Sequence, residues 1–213
     1  FDEVAGYQRT DASRGGVALL LLDQDRPVAF VKLQPGQSPA IEAEARATDL
    51  AWRGAPATFR VPGLLDAGDV GGWSFCAVEA LPPRIHRMPA DPPLRQIGRD
   101  LDRVLGGVPR PSGTPAHWRP MHGDFTPWNL RELDRGVFYL IDWEHVAWGP
   151  PSADEVLYRA TAIALGRTPA GQLDGAGEAI EFWRSRIAPR PGDARDKRLD
   201  RAILRALDAM PAS

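Results

Sequence analysis

Two aliphatic runs, Val17–Asp23 and Pro27–Leu33, flank the polar stretch Asp23-Gln24-Asp25-Arg26, and that pattern predicts a β-hairpin. Two more strands are predicted around Leu64–Ala67 and Trp73–Glu79, the second entered through Gly71-Gly72. Between the two pairs, Ser38 is placed to cap a helix over roughly Pro39–Arg53, with Glu42 near its first turn. Leu81-Pro82-Pro83 closes this strand-rich third. Beyond it the period changes, and apolar residues at 94, 97, 101, 104 and 105 form a helical stripe stopped by Gly106-Gly107. A short hairpin is predicted over Leu130–Leu133 and Val137–Trp143, turning at Asp134-Arg135-Gly136, followed by helices over 152–164, 172–187 and 194–210. The pattern as a whole predicts an α+β chain in two lobes. Residues 1–81 form a small antiparallel sheet with one helix, and residues 82–213 are mostly helical.

Charge and composition narrow the partners. The 213 residues carry 26 basic and 28 acidic side chains, a net charge of −2, which argues against broad electrostatic binding to nucleic acid or to an anionic membrane. The longest apolar run, Val17–Leu22, falls far short of the ~18 residues of a membrane-spanning helix. The single cysteine, Cys76, excludes a disulfide framework and a multi-cysteine metal site, and a cytoplasmic location is expected. Lysine occurs only at Lys32 and Lys197 in an arginine-rich background. A lysine kept in such a background points to a position where ammonium and guanidinium are not interchangeable.

The segment Met121-His122-Gly123-Asp124-Phe125-Thr126-Pro127-Trp128-Asn129-Leu130 carries the chemistry. Thirteen residues after Asn129, an apolar strand ends in Asp142, within Ile141-Asp142-Trp143-Glu144. Phosphoryl transfer from ATP needs one carboxylate to orient the attacking hydroxyl and accept its proton. It also needs a carboxylate and an amide oxygen to hold Mg²⁺ against the phosphates. A hairpin between Asn129 and Asp142 would bring the two metal ligands back to one edge of the loop.

His122-x-Asp124-x₄-Asn129, followed by a strand and Asp142, resembles the catalytic core of the protein-kinase-like superfamily. The forms His-Gly-Asp and Ile-Asp-Trp-Glu are similar to the aminoglycoside phosphotransferase and choline kinase branch, and so is Gly149-Pro150-Pro151-Ser152-Ala153-Asp154. The resemblance implies a protein-kinase-like two-lobe fold. It implies Asp124 as the catalytic base, Asn129 and Asp142 as magnesium ligands, and His122 and Asp154 as structural supports of the loop. In the first lobe it implies Lys32 as the strand lysine on the nucleotide phosphates, with Glu44 as its helix partner and Glu42 as the second choice. The backbone of Glu79–Leu81 falls where the branch binds adenine. Ser13, Gly15 and Gly16 stand where a glycine loop would cover the phosphates, although no Gly-x-Gly-x-x-Gly is present. The cofactors implied are ATP, or another nucleoside triphosphate, and Mg²⁺.

Glu144, His145 and Trp148 are candidates for the acceptor pocket. The simpler reading for Trp143 is core packing, and for His86 and His117 it is exposure to solvent. The basic run from Arg184 to Arg205 is interleaved with Asp193, Asp196 and Asp200, which reads as a solvated helix face. The expected activity is transfer of the γ-phosphoryl group to a hydroxyl of a small molecule: a sugar, nucleoside, amino alcohol or aminoglycoside-like antibiotic. The alternative is a nucleotide-binding pseudokinase without turnover.

Overall fold

The computed structural model describes residues 1–8, 16–134, 136–171, 173, 175–189 and 194–211. The proposed phosphate-covering residues Ser13 and Gly15 lie outside the described residues, as does the predicted start of a helix at Gln172.

Five strands form one antiparallel sheet in the order β1-β2-β3-β5-β4. They are β1 (Glu3–Gln8), β2 (Val17–Asp23), β3 (Arg26–Pro35), β4 (Leu64–Val70) and β5 (Trp73–Glu79). Strand β1 has no counterpart in the sequence reading, because Glu3–Gln8 mixes polar and small residues. Its pairing with β2, from Glu3↔Leu22 to Gln8↔Val17, is what makes it a strand. The β2–β3 turn is Gln24-Asp25, both at positive φ (48° and 61°), the geometry that matches the twist of the flanking strands.

Helix α1 (Pro39–Arg53) lies on this sheet. Ser38 caps it, its hydroxyl accepting the Ile41 N–H at 3.4 Å, and Pro39 sits in the first turn, where its missing N–H costs nothing. Small residues on the buried face (Ala45, Ala47, Ala51) let the helix approach closely, and Ile41 and Ala45 pack on Cys76.

The rest of the chain holds α2 (Leu94–Val104), the hairpin β7 (Leu130–Asp134)–β8 (Val137–Leu140), and helices α3 (Ala153–Ala164), α4 (Gly177–Ile187) and α5 (Ala194–Asp208). A second small ladder, β6 (Arg119–Met121) with β9 (Ala147–Gly149), was not predicted. Its strands are three residues each and hold Pro120 and Gly149, too short and too irregular for period-two patterning to show. One core joins α1 and α2 to the hairpin through Ala47, Ala51, Ile97, Leu101, Leu130, Leu140 and Trp143. Another joins α3, α4 and α5. The β7–β8 hairpin is therefore packed against both parts of the molecule. Single backbone bridges hold it on each side. Arg60 N–H donates to the Phe138 carbonyl (2.8 Å), and Arg87 N–H to the Glu132 carbonyl (3.0 Å).

Candidate active site

Segments far apart in the chain meet at Lys32. The lysine sits on the central strand β3, opposite Ala18 and Cys76, and reaches toward α1. Its Nζ lies 2.6 Å from Glu44 Oε1, donates to Asp142 Oδ1, and is 3.7 Å from Glu144 Oε2. Helical periodicity separates the two candidate glutamates. Glu44 lies on the buried face of α1, whereas Glu42 points outward and pairs with Arg46 at 3.6 Å. Three carboxylates thus surround one ammonium. Burial works against the Lys32 charge, but Glu44, Asp142 and Glu144 outweigh it and hold the ammonium protonated beyond its ordinary range. Burial pushes the Glu44 carboxyl up to about 7 against the pull of Lys32, and Glu44 Oε2 is buried with no hydrogen-bond partner. For Asp142 burial is likewise opposed by Lys32, and here the lysine wins, so the carboxyl lies below the usual range.

The strand that precedes Asp142 ends sooner than predicted. Strand β8 stops at Leu140, Asp142 adopts φ 70°, and Trp143–His145 make a single 3₁₀ turn. The left-handed residue turns the chain so that Trp143 enters the core, where its Nε1–H donates to the Leu140 carbonyl at 3.3 Å. Asn129 is brought alongside by the hairpin register, since Leu130 pairs with Leu140 and Ile141 N–H donates to the Asn129 carbonyl at 3.1 Å. The Asn129 amide nitrogen donates to the Asp124 carbonyl (2.9 Å) and to Asp124 Oδ2 (2.8 Å), which leaves its Oδ1 as an acceptor.

The loop carrying Asp124 is held from beneath. Buried Asp154, at the start of α3, accepts the backbone N–H of His122 (2.7 Å) and of Gly123 (3.0 Å). Burial pushes its carboxyl up to about 6, with those two bonds holding it back. His122 is fully buried. Its Nε2–H donates to the Ile141 carbonyl (3.1 Å), its Nδ1 accepts the Asp124 N–H (3.3 Å), and its ring packs edge-on against Trp143. Burial lowers His122 to about 4, so the neutral ring acts as a fixed donor–acceptor strut. Gly123 has φ 79°, and a Cβ there would collide with the His145 carbonyl oxygen, so glycine is required.

The remaining candidates are less concentrated. Gly16 enters β2, close to the Leu33 carbonyl. The Glu79 carboxylate accepts the Gly63 N–H at 2.9 Å, and Ala80 N–H donates to Val28, so Leu81 follows the last paired residue of the sheet. The Trp148 Nε1–H donates to the Pro109 carbonyl (3.1 Å), and the Arg110 guanidinium lies over its ring at 5.0 Å, covering one face of this acceptor-pocket candidate. His117 is exposed, as expected, and its ring pairs with the exposed Glu178 at 2.8 Å. Sequence reasoning placed Glu144 with the acceptor and missed its contact with Lys32. The backbone bridges at Arg60 and Arg87 carry no side-chain signal that could have revealed them.

The antiparallel sheet with α1 and the mostly helical remainder make a mixed α+β fold of the kinase-like, two-lobe kind. The model of a phosphotransferase enzyme family (APH) matches residues 109–190, the stretch that holds Asp124, Asn129, Asp142 and Asp154. Among solved structures, the chain is similar to amicoumacin kinase hAmiN in complex with AMP-PNP, Ca²⁺ and Ami. The identity is 11% and the TM-score 0.61, over 99% of this chain and 89% of that one. It is also similar to an aminoglycoside-3'-phosphotransferase of type VIII, at 16% identity and a TM-score of 0.50, over 96% and 93% of the two chains. At these identities the likeness is one of fold. No curated protein matches the sequence. The resemblance read from the catalytic segment agrees with the family model that matches residues 109–190 and with the fold of these two structures.

Proposed function

We propose that the protein is an ATP- and Mg²⁺-dependent phosphotransferase that moves the γ-phosphoryl group to a hydroxyl of a small molecule. The observation that carries this reading is the meeting of Lys32, paired with Glu44, and Asp142, which itself neighbours the Asn129–Asp124 pair across the hairpin. The donor set fits a hard divalent cation. Asn129 Oδ1 and the Asp142 carboxylate are oxygen donors on adjacent positions. Two protein oxygens suit magnesium, which keeps several positions for phosphates and water. Bound there, magnesium would neutralise charge on the transferring phosphate.

The protein's own groups do the rest. Lys32 exchanges part of its carboxylate shell for the nucleotide phosphates, while Glu44 keeps the ammonium aimed. Asn129 fixes one oxygen of Asp124, and His122 fixes its backbone, so that the carboxylate is oriented before the acceptor arrives. Asp124 then aligns the hydroxyl for in-line attack and accepts its proton. Alignment and charge neutralisation supply nearly all of the catalysis in such transfers. The end of β5 at Glu79–Leu81 is the adenine side, and the domain division falls after residue 81. From residue 155 onward basic residues slightly outnumber acidic ones, which favours a neutral or anionic acceptor over a polycation.

Mass spectrometry of a metabolite and antibiotic pool incubated with the protein, ATP and Mg²⁺ tests the reading. One member of the pool is expected to gain a single phosphate. Nucleotide binding with no phosphorylated product would instead identify a pseudokinase.

A further inference from the structure

Helix α1 belongs to the first lobe by sequence, yet the larger core it joins is that of the helical lobe. Ala47 and Ala51 lie in the core that holds Ile97, Leu101 and Val104 of α2 together with Trp143. Toward the sheet, α1 contributes Ile41 and Ala45 to the small buried cluster around Cys76. Glu44 shares the stripe of Ala47, Thr48 and Ala51, at the i, i+3, i+4 and i+7 positions of the buried face. Its carboxylate is therefore placed by the way α1 seats on the helical lobe.

That seat is clamped where the helix ends. Asp100 Oδ2, on α2, accepts the Ala57 N–H, the Thr58 N–H and the Thr58 hydroxyl, each at 2.8 Å. Asp100 Oδ1 pairs with Arg103 at 3.0 Å, and Arg103 donates to the carbonyls of Gly54 (2.6 Å) and Ala55 (3.2 Å). One turn of α2 thus grips both the amides and the carbonyls of a single loop through charged side chains. Ala55 stands at φ 44°, a conformation that a non-glycine residue keeps where its surroundings impose it. Close packing adds to the grip: a Cβ on Gly54 would lie 2.7 Å from Val104 Cγ1, and one on Gly107 would lie 3.2 Å from Leu50.

We propose that Asp100 and Arg103 are positioning residues for phosphoryl transfer, acting through α1. The clamp sets how α1 slides and turns on the helical lobe, and so where Glu44 holds the Lys32 ammonium relative to Asp142. Lys32 comes from the sheet and Asp142 follows the β7–β8 hairpin, so Glu44 brings them together only while α1 keeps its register. When Asp142 turns to the divalent cation of an incoming nucleotide, Glu44 is the hydrogen-bonded carboxylate that remains on the lysine and aims it at the phosphates. With the clamp open, α1 gains freedom to rotate, and the aimed arrangement is populated for less of the time. The inference rests on the reading of this cleft as a nucleotide site.

The chain has two lysines, Lys32 and the exposed Lys197, so labelling the full chain with ¹³Cε-lysine gives one signal from the cluster and one internal control. Lys197→Arg assigns them. In the nucleotide-free wild type the Lys32 signal stands apart from that of Lys197. In Asp100→Ala, at a temperature where the protein is folded, it moves toward Lys197. With the acceptor found in the pool, kcat of that variant falls at least ~10-fold while the acceptor KM stays within about twofold. Asp100→Asn, which keeps an acceptor for the two amides, recovers part of both. Arg103→Ala, at a half-exposed position, moves the signal less and in the same direction, and it carries the test where Asp100→Ala does not fold. Ile203→Val, in the core of α3, α4 and α5, is the structural comparison: it lowers stability and leaves both readouts unchanged. A Lys32 signal that stays put in both clamp variants overturns the proposal, and so does a loss of kcat in Ile203→Val equal to that in Asp100→Ala. The signal is read without nucleotide and so answers separately from the activity. A wild type that phosphorylates no member of the pool overturns the phosphotransferase reading and the catalytic role of the clamp with it, whatever the signal does.

Discussion

The loop at 121–129 and the cluster around Lys32 are neighbours built on opposite principles. The loop gives each support its own contact: Asp154, His122 and the Asn129 amide nitrogen each hold a separate point of it, while one buried oxygen, Thr126 Oγ1, lacks a partner. Asp154, His122 and Gly123 each do one mechanical task, and none is exposed to solvent. The Lys32 cluster is the reverse. Three carboxylates share one ammonium, one buried oxygen of Glu44 lacks a partner, and the groups come from β3, α1 and the 3₁₀ turn. A network in which each group has its own partner holds a geometry, whereas one in which several carboxylates share a single cation rearranges when a new charge arrives. Under the proposed function, the Asp124 half of the site is preorganised and the Lys32 half is poised to exchange partners.

The sharpest break comes from removing chemistry on either side of that divide. Asp124→Ala and Asp142→Ala are each expected to lower turnover by at least ~10³-fold with the thermal transition retained. Full activity in either variant would refute the mechanism. Next comes Gly123→Ala, which forces a side chain at φ 79° into the His145 carbonyl and should cost about 3 kcal/mol or more in denaturant unfolding. A near-neutral result would mean the loop is softer than its contacts imply.

Asp154→Asn should be milder, about 2 kcal/mol at pH 7, because one of two buried N–H groups loses its acceptor. Its pH dependence has a definite sign. The folded carboxyl is pushed up to about 6 from 3.8, so Asp154 contributes stability that is fully present below pH 3.8 and lost as pH rises through 6. The gap between wild type and Asp154→Asn should widen from pH 7 to pH 4; a gap that narrows would show that the two N–H bonds outweigh burial. The smallest effect is expected at Glu42→Ala, within about 0.5 kcal/mol and without loss of activity, since Glu42 meets only exposed Arg46.

Much of this was legible in the sequence. The spacing from His122 to Asn129 and on to Asp142 survives intact, because a short hairpin leaves few ways to return the chain. The helix over 39–53 is marked by its own cap, Ser38, and a following proline. What was not legible depends on tertiary partners. Strand β1 exists through its pairing with β2, and the β6–β9 ladder through backbone contacts of six residues. The early stop of β8 reflects the pull of Trp143 into the core, which overrides the β propensity of the Val137–Trp143 run. Nothing in the sequence places the Arg110 guanidinium over the Trp148 ring.

The central claim is that Asn129 and Asp142 hold the divalent cation of a nucleotide whose phosphates meet Lys32. Calorimetric titration of AMP-PNP into the full chain, with and without Mg²⁺, tests it most directly when run on the wild type and on Asp142→Ala. The account predicts binding that depends on Mg²⁺ in the wild type and loses that dependence in the variant. Equal affinity in the two proteins, with the same response to Mg²⁺, would contradict it.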